Sequence, residues 1–123
     1  MIIIITSAIV LLIIDFIYLS SVGRYFSNQI ETIQKTPFEL ESISTVLTYV
    51  VIIFALYYFI LKENKSVIDA FLLGFAIYMI FELTNKALFD KWSWKTVFID
   101  GIWGGILFAL TTFLTYQIYS LFR

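Results

Sequence analysis

The chain has 123 residues, of which 61% are hydrophobic, 20% aromatic and only 14% charged, with a net charge of −1 and a mean hydropathy of +0.94. A soluble domain keeps roughly a quarter of its residues charged, so this chain has too few polar groups to cover a water-facing surface, and lipid is its natural solvent. The charge balance excludes the basic footprint of a nucleic-acid binder, and the absence of Cys and His excludes disulfides, thiol nucleophiles, Cys/His zinc sites and imidazole acid–base chemistry.

A helix needs about 20 mainly apolar residues to cross a ~30 Å hydrocarbon core, and four segments meet that length. Together they predict an all-α fold, a polytopic transmembrane four-helix bundle forming a single domain over residues 1–123. Span 1 runs from about Ile2 to Val22. It is preceded by no Lys or Arg and followed by no small-x-small cleavage site, so it reads as a retained anchor and not as a cleaved signal. The connection from Gly23 to Glu41 is the longest and holds the only proline, Pro37. Within it Tyr25, Phe26, Ile30 and Ile33 recur at helix-like spacing, which allows a short interfacial helix between spans 1 and 2; an irregular polar loop is the alternative.

Span 2 runs from about Ser42 to Leu61 and is followed by the charged turn Lys62-Glu63-Asn64-Lys65. Ser66, with Asp69 three residues on, reads as the N-cap of span 3 with an acid in its first turn. Span 3 runs from about Val67 to Phe89. Asp90-Lys91 marks the next turn, where Trp92 and Trp94 read as interfacial anchors. Span 4 runs from about Trp94 to Leu121. Four spans put both termini on one side, side A, with Lys62, Lys65 and Arg123. Side B carries Arg24, Lys35, Lys91 and Lys95. Three cations against four give no bias that would orient the chain, and near-balance is also what a dual-topology protein shows.

Four ionisable residues lie inside the spans: Asp15, Glu82, Lys86 and Asp100. At ~1.5 Å rise per residue, Asp15, Glu82 and Asp100 fall at about 10, 8 and 9 Å from side B, and Thr45, Thr48 and Tyr49 of span 2 at about 4–10 Å. All four helices therefore place polar groups in one layer. Charges at this depth cost several kcal/mol unless they face the bundle interior and find partners. Glu82, Asn85 and Lys86 share a helical face, so Glu82 and Lys86 can pair; alternatively, Lys86 snorkels towards side B. Asn85, Thr84, Tyr49, Thr48, Tyr18 and Trp103 supply hydrogen-bond donors. Three carboxylates against one lysine imply a retained proton, a proton shared between two acids, or a bound cation. Thr45, Thr48 and Thr84 also serve as plain helix–helix glue, and Asp69 and Asp90 sit near span ends in water. On span 4, Gly101 and Gly105 form a small-xxx-small pattern, joined by Gly104 and by Gly74 on span 3. It reads as a packing seam.

Three motifs carry a resemblance: Asp15-Phe16-Ile17-Tyr18-Leu19, Phe81-Glu82-Leu83-Thr84-Asn85 and Asp100-Gly101-Ile102-Trp103-Gly104. In their order and spacing the chain resembles, over nearly its whole length, the four-span membrane-protein family known as domain of unknown function 2177. That family more often has Asp at the position of Glu82 and an apolar residue at that of Lys86. The resemblance implies the four-span fold and singles out these residues; it implies no activity.

The excess of carboxylates at one depth leads to the expectation of a small transporter or channel-like protein that binds protons or a cationic solute. Its ligand- or ion-binding residues would be Asp15, Glu82, Asn85, Asp100, Lys86, Tyr49, Thr48 and Trp103, with no cofactor and no assigned metal set. Besides the lipid bilayer, a second copy is an expected partner, because four short helices enclose little volume and a pathway forms more readily between protomers of a homo-oligomer. In a second reading the chain is a structural or interaction protein whose polar layer fixes helix packing. A third is an intramembrane enzyme acting on a lipid, with paired carboxylates as acid and base or as Mg²⁺ ligands. No Asp-x-x-x-Asp, His or Cys motif backs it, so no catalytic residue is assigned.

Overall fold

The computed structural model describes residues 2–34 and 42–121. Within them the chain forms four helices: α1 (Ile2–Gln34), α2 (Ser42–Leu56, running on through Tyr57–Leu61), α3 (Val67–Leu88) and α4 (Trp94–Ser120). All four are long and apolar enough to cross a membrane. Their outward faces carry large apolar side chains, among them Phe16, Val51 and Ile68, each more than 60% exposed. In water such a surface would aggregate; in hydrocarbon it costs nothing, and the helices satisfy their own backbone groups. The protein is an integral, multi-pass membrane protein.

The helix ends follow local chemistry. Ser66 caps α3 as its sequence implies, its side chain accepting from the Asp69 backbone N–H at 3.1 Å. Asn64 turns the chain between α2 and α3 in the left-handed region (φ 52°), which Asn tolerates better than most residues. Ser93 caps α4 by accepting from the Thr96 N–H at 3.0 Å. The end of span 2 winds more widely than an α-helix, with the Lys62 N–H donating to the Tyr57 carbonyl at 2.8 Å.

α1 departs from the expected outline. The helix-like spacing of Tyr25, Phe26, Ile30 and Ile33 is realised as a continuation of span 1, making one helix of 33 residues, and not as a separate interfacial helix. At ~1.5 Å per residue it is about 50 Å long, well beyond the hydrocarbon thickness. The Ser20, Ser21, Ser27 and Thr32 hydroxyls each donate to the carbonyl four residues back, so the polar stretch sheathes its own backbone. Its far end is also tied down. The Gln29 Oε1 accepts from the Ser93 N–H at 3.1 Å and the Thr96 hydroxyl at 3.0 Å, and the Tyr25 hydroxyl lies 3.0 Å from Ser93 Oγ. The expected loop positions Lys35 and Pro37 lie outside the described residues, as does Arg123.

α4 is the central helix. It packs most extensively on α3 and next on α1, whereas α2 rests on α1 and barely touches α3. Near side A the bundle is tight: Leu11, Leu56, Leu107 and Phe108 are fully buried in one cluster. The α3–α4 seam is built on glycine, as the small-residue pattern implies. A Cβ on Gly74 would lie 2.2 Å from the Gly104 carbonyl oxygen, and one on Gly104 2.3 Å from the Tyr78 ring. Association in lipid relies on such close packing because no hydrophobic force drives it.

Two expected outcomes follow from this geometry. Gly74→Ala meets backbone that cannot yield, so it should lower stability in detergent or bicelles by about 1–3 kcal/mol, whereas Gly23→Ala, with nothing within 4 Å of the new Cβ, should not destabilise. Equal stability of Gly74→Ala and the parent in a denaturation series would remove the seam argument. Gln29→Ala removes the acceptor that holds α1 to Ser93 and Thr96. Amide hydrogen exchange over residues 25–34 should then accelerate roughly tenfold while residues 5–20 stay unchanged.

Candidate functional site

Each buried acid sits on a different helix and is met by aromatic donors from another element. Asp15 of α1 is 6% exposed. One of its oxygens accepts from the Tyr49 hydroxyl of α2 and the other from the Trp103 indole of α4 at 3.1 Å. Asp100 of α4 accepts from the Tyr18 hydroxyl of α1 at 3.2 Å. The Tyr18 ring stacks on the Trp103 ring at 4.2 Å, nearly parallel, so the donors of Asp15 and Asp100 brace each other. Glu82 of α3, only 2% exposed, accepts from the Trp92 indole at 2.8 Å. Its carboxyl group also lies within hydrogen-bonding reach of that of Asp100.

The layer inferred from helical rise is therefore a connected cluster in space. Asp15, Glu82, Asp100, Tyr49 and Trp103 come together. Thr48 lines the adjoining space, but its hydroxyl is bonded to the Ser44 carbonyl at 2.8 Å. Asn85 is half-buried, and its backbone carbonyl receives the Phe89 N–H where α3 ends; its side chain makes no hydrogen bond to the acids. Of the two readings of Lys86, the pairing with Glu82 does not form and the reach towards side B does. Lys86 Nζ donates to the Asp90 carbonyl at 2.9 Å and lies over the Trp94 ring at 5.7 Å. A lysine one turn nearer side B reaches the interface with its long stem, which costs less than burying the ammonium. Among the described residues the site is left without a base.

Two contributors are not evident from the sequence reading. Trp92 is buried, at 7% exposure, and its N–H points inward to Glu82, whereas Trp94 is exposed as an interfacial residue should be. The short turn between α3 and α4 folds Trp92 back over the end of α3, a placement that residue type alone does not reveal. Tyr78 is one turn before Glu82 on the same face, and this i, i+4 spacing was available as a signal.

The cluster borders two adjoining cavities. One, of about 350 Å³, is lined by Asp15, Tyr18, Tyr49, Tyr78, Glu82, Trp92 and Asp100, with Phe26 and Ile30 of the α1 extension. The other, of about 500 Å³, lies between α2 and α3 and is lined mainly by aliphatic and aromatic side chains, with Asp100 as its one acid. Both have Thr48, Ile52, Tyr78, Phe81 and Asp100 in their walls. Among the described residues no three acid side chains converge as a metal-holding group. The arrangement instead offers a two-carboxyl acceptor, Glu82–Asp100, with Asp15 alongside and aromatic rings around it.

No curated protein and no solved structure matches the chain. One family does, matching residues 1–117 with the same four apolar spans, and the chain belongs to it: the predicted membrane proteins of DUF2177.

Proposed function

We propose that this protein is a small transporter that takes up a proton or a cationic group at the Glu82–Asp100 carboxyl pair. The observation that carries the reading is a nearly fully buried glutamate against a second carboxyl group, in a cavity from which the nearby lysine is turned away. Two like charges in contact in a medium of low dielectric repel strongly, and a proton or a cation between them relieves the repulsion. The tryptophan and tyrosine N–H and O–H groups supply one hydrogen bond each to Glu82 and Asp100, leaving acceptor capacity free for an incoming ligand. The polar cavity lies within one chain, so uptake as proposed needs no second copy, although a homo-oligomer could still complete a path across the membrane.

A structural reading is favoured for one member. Asp15 has both oxygens occupied by donors from two other helices, which is the arrangement expected of a residue that fixes helix packing. The two roles separate by mutation. Asp100→Asn and Glu82→Gln should reduce proton or methylammonium uptake into proteoliposomes roughly tenfold or more without loss of folded protein. Asp15→Asn, which replaces charge-assisted bonds by neutral ones, should first lower stability by about 1–2 kcal/mol. Wild-type uptake of every cation tried by Asp100→Asn and Glu82→Gln would sink the transport reading.

A further inference from the structure

The two cavities differ in what they meet at their edges, and that difference bears on how a ligand arrives. Towards side B the polar cavity is walled by Phe26 and Ile30 of the α1 extension and by Trp92. That extension is held in place through Tyr25 and Gln29 to Ser93 and Thr96. Towards side A the bundle interior is filled by Leu11, Leu56 and Phe108, none of them exposed. A lateral direction is open between α2 and α3. α2 and α3 barely touch, and Leu47, Val51 and Phe81, which line the apolar cavity between them, are each more than half exposed. In a membrane this gap opens into hydrocarbon, not into water.

We infer that the ligand is a long-chain alkylammonium, an amphiphile that enters from the bilayer between α2 and α3 with its ammonium group leading. This inference rests on the proposed role of the Glu82–Asp100 pair and names the substrate class for it. The chemistry of the cleft changes along its length in the order such a molecule requires. Its apolar wall, running from the exposed Leu47, Val51 and Phe81 inward to Ile77 and the buried Ile52, matches an alkyl chain. Its inner end presents carboxyl oxygens with no base among the described residues around them, which complements a cation and disfavours an anion or a phosphate headgroup. The rings of Tyr18, Tyr49, Tyr78 and Trp92 line the same space, and aromatic walls with acids are a recurring receptacle for ammonium groups. A hydrated metal ion would have to shed its water in an apolar slot to reach the acids, whereas an amphiphile already in the lipid arrives with its chain desolvated. The cavity volumes of about 500 and 350 Å³ lie within the range of about 300–1,000 Å³ of small-molecule sites.

The test uses the full chain in phosphatidylcholine nanodiscs and a dodecylammonium probe carrying a mid-chain diazirine, with photolabelled residues mapped by mass spectrometry. Label should concentrate on the facing surfaces of α2 and α3, at positions such as Leu47, Val51, Ile77 and Phe81. Asp100→Asn should reduce that label roughly tenfold, the loss expected for one charge-assisted contact. Leu47→Trp, a substitution at an exposed groove position that leaves the core untouched, should reduce it as well. Ile68→Trp, on the outer face of α3, should not. The matched dodecanol and dodecanoate probes should leave the groove weakly labelled. Label spread evenly over the lipid-facing residues, equal label from dodecanol, or groove label undiminished by Asp100→Asn would each overturn the inference. The same preparations report on the two readings separately. Methylammonium uptake that depends on Asp100, with no label in the groove, overturns lateral entry and leaves the cation site standing.

Discussion

The glycine contact between α3 and α4 sets the position of everything else in the polar layer. Where Gly74 meets the Gly104 carbonyl, the two helices approach more closely than any side chain would permit. Antiparallel register then runs from Phe71 at Gly105, through Tyr78 at Gly104 and Met79 at Gly101, to Glu82 at Asp100. Glu82 lies eight residues beyond Gly74 and Asp100 four before Gly104, so each acid shares a face with the glycine of its own helix. The feature that lets the backbones touch thus brings two carboxyl groups within reach of each other. A bulkier residue at the seam would separate the helices and the acids together.

Holding carboxyl groups at this depth costs several kcal/mol, and among the described residues that cost is met without ion pairs at the site. Its donors are phenols and indoles: Tyr49 and Trp103 for Asp15, Tyr18 for Asp100, Trp92 for Glu82. Such groups suit a lipid environment, because a large apolar body packs against neighbouring helices while a single polar atom reaches inward. They also bring no charge, so the cluster keeps its acidic character towards a ligand. A lysine in their place would satisfy the carboxylates and extinguish that character. Lys86, one turn along from Glu82, is occupied with the Asp90 carbonyl and the Trp94 ring.

Much of this was legible in the order of residues. The four spans follow from hydrophobic run length, the α3 cap from Ser66 and Asp69, the seam from the glycine spacing, and the shared depth of Asp15, Glu82 and Asp100 from helical rise alone. These are properties of one helix at a time, or of a common distance from the membrane surface. What stayed hidden depends on how elements lean on one another. The α1 extension is helical because Gln29 and Tyr25 find Ser93 and Thr96 across the bundle; Gly23 and the hydroxyl-rich stretch around it read more naturally as a break. Trp92 looks like an interfacial anchor until the turn folds it inward. For Lys86 the i, i+4 rule allowed a pair with Glu82 and the long stem a reach towards side B; the Asp90 carbonyl, which decides for the second, belongs to the turn and not to the helix face.

The looseness of α2 was equally hidden, since its composition is as apolar as that of its neighbours, yet it gives the bundle its asymmetry. Three helices are locked by the glycine seam and by the Tyr18–Trp103 stack, whereas α2 holds the others mainly through Ile52, Leu56 and the wider-wound Tyr57–Leu61 at its side-A end. Its side-B half projects Ile43, Val46, Leu47, Val50 and Val51 outward, each more than half exposed. Side chains of this kind make no demand for a protein partner when lipid surrounds them, so α2 can stand apart from α3 at no energetic penalty. A polar tie at that end is the Tyr49 hydroxyl on Asp15. A helix packed mainly at one end is the element of this fold with the least to lose by moving. It is also the element that borders the opening to the acids, so the weakest packing in the bundle coincides with an apolar approach to its most polar site.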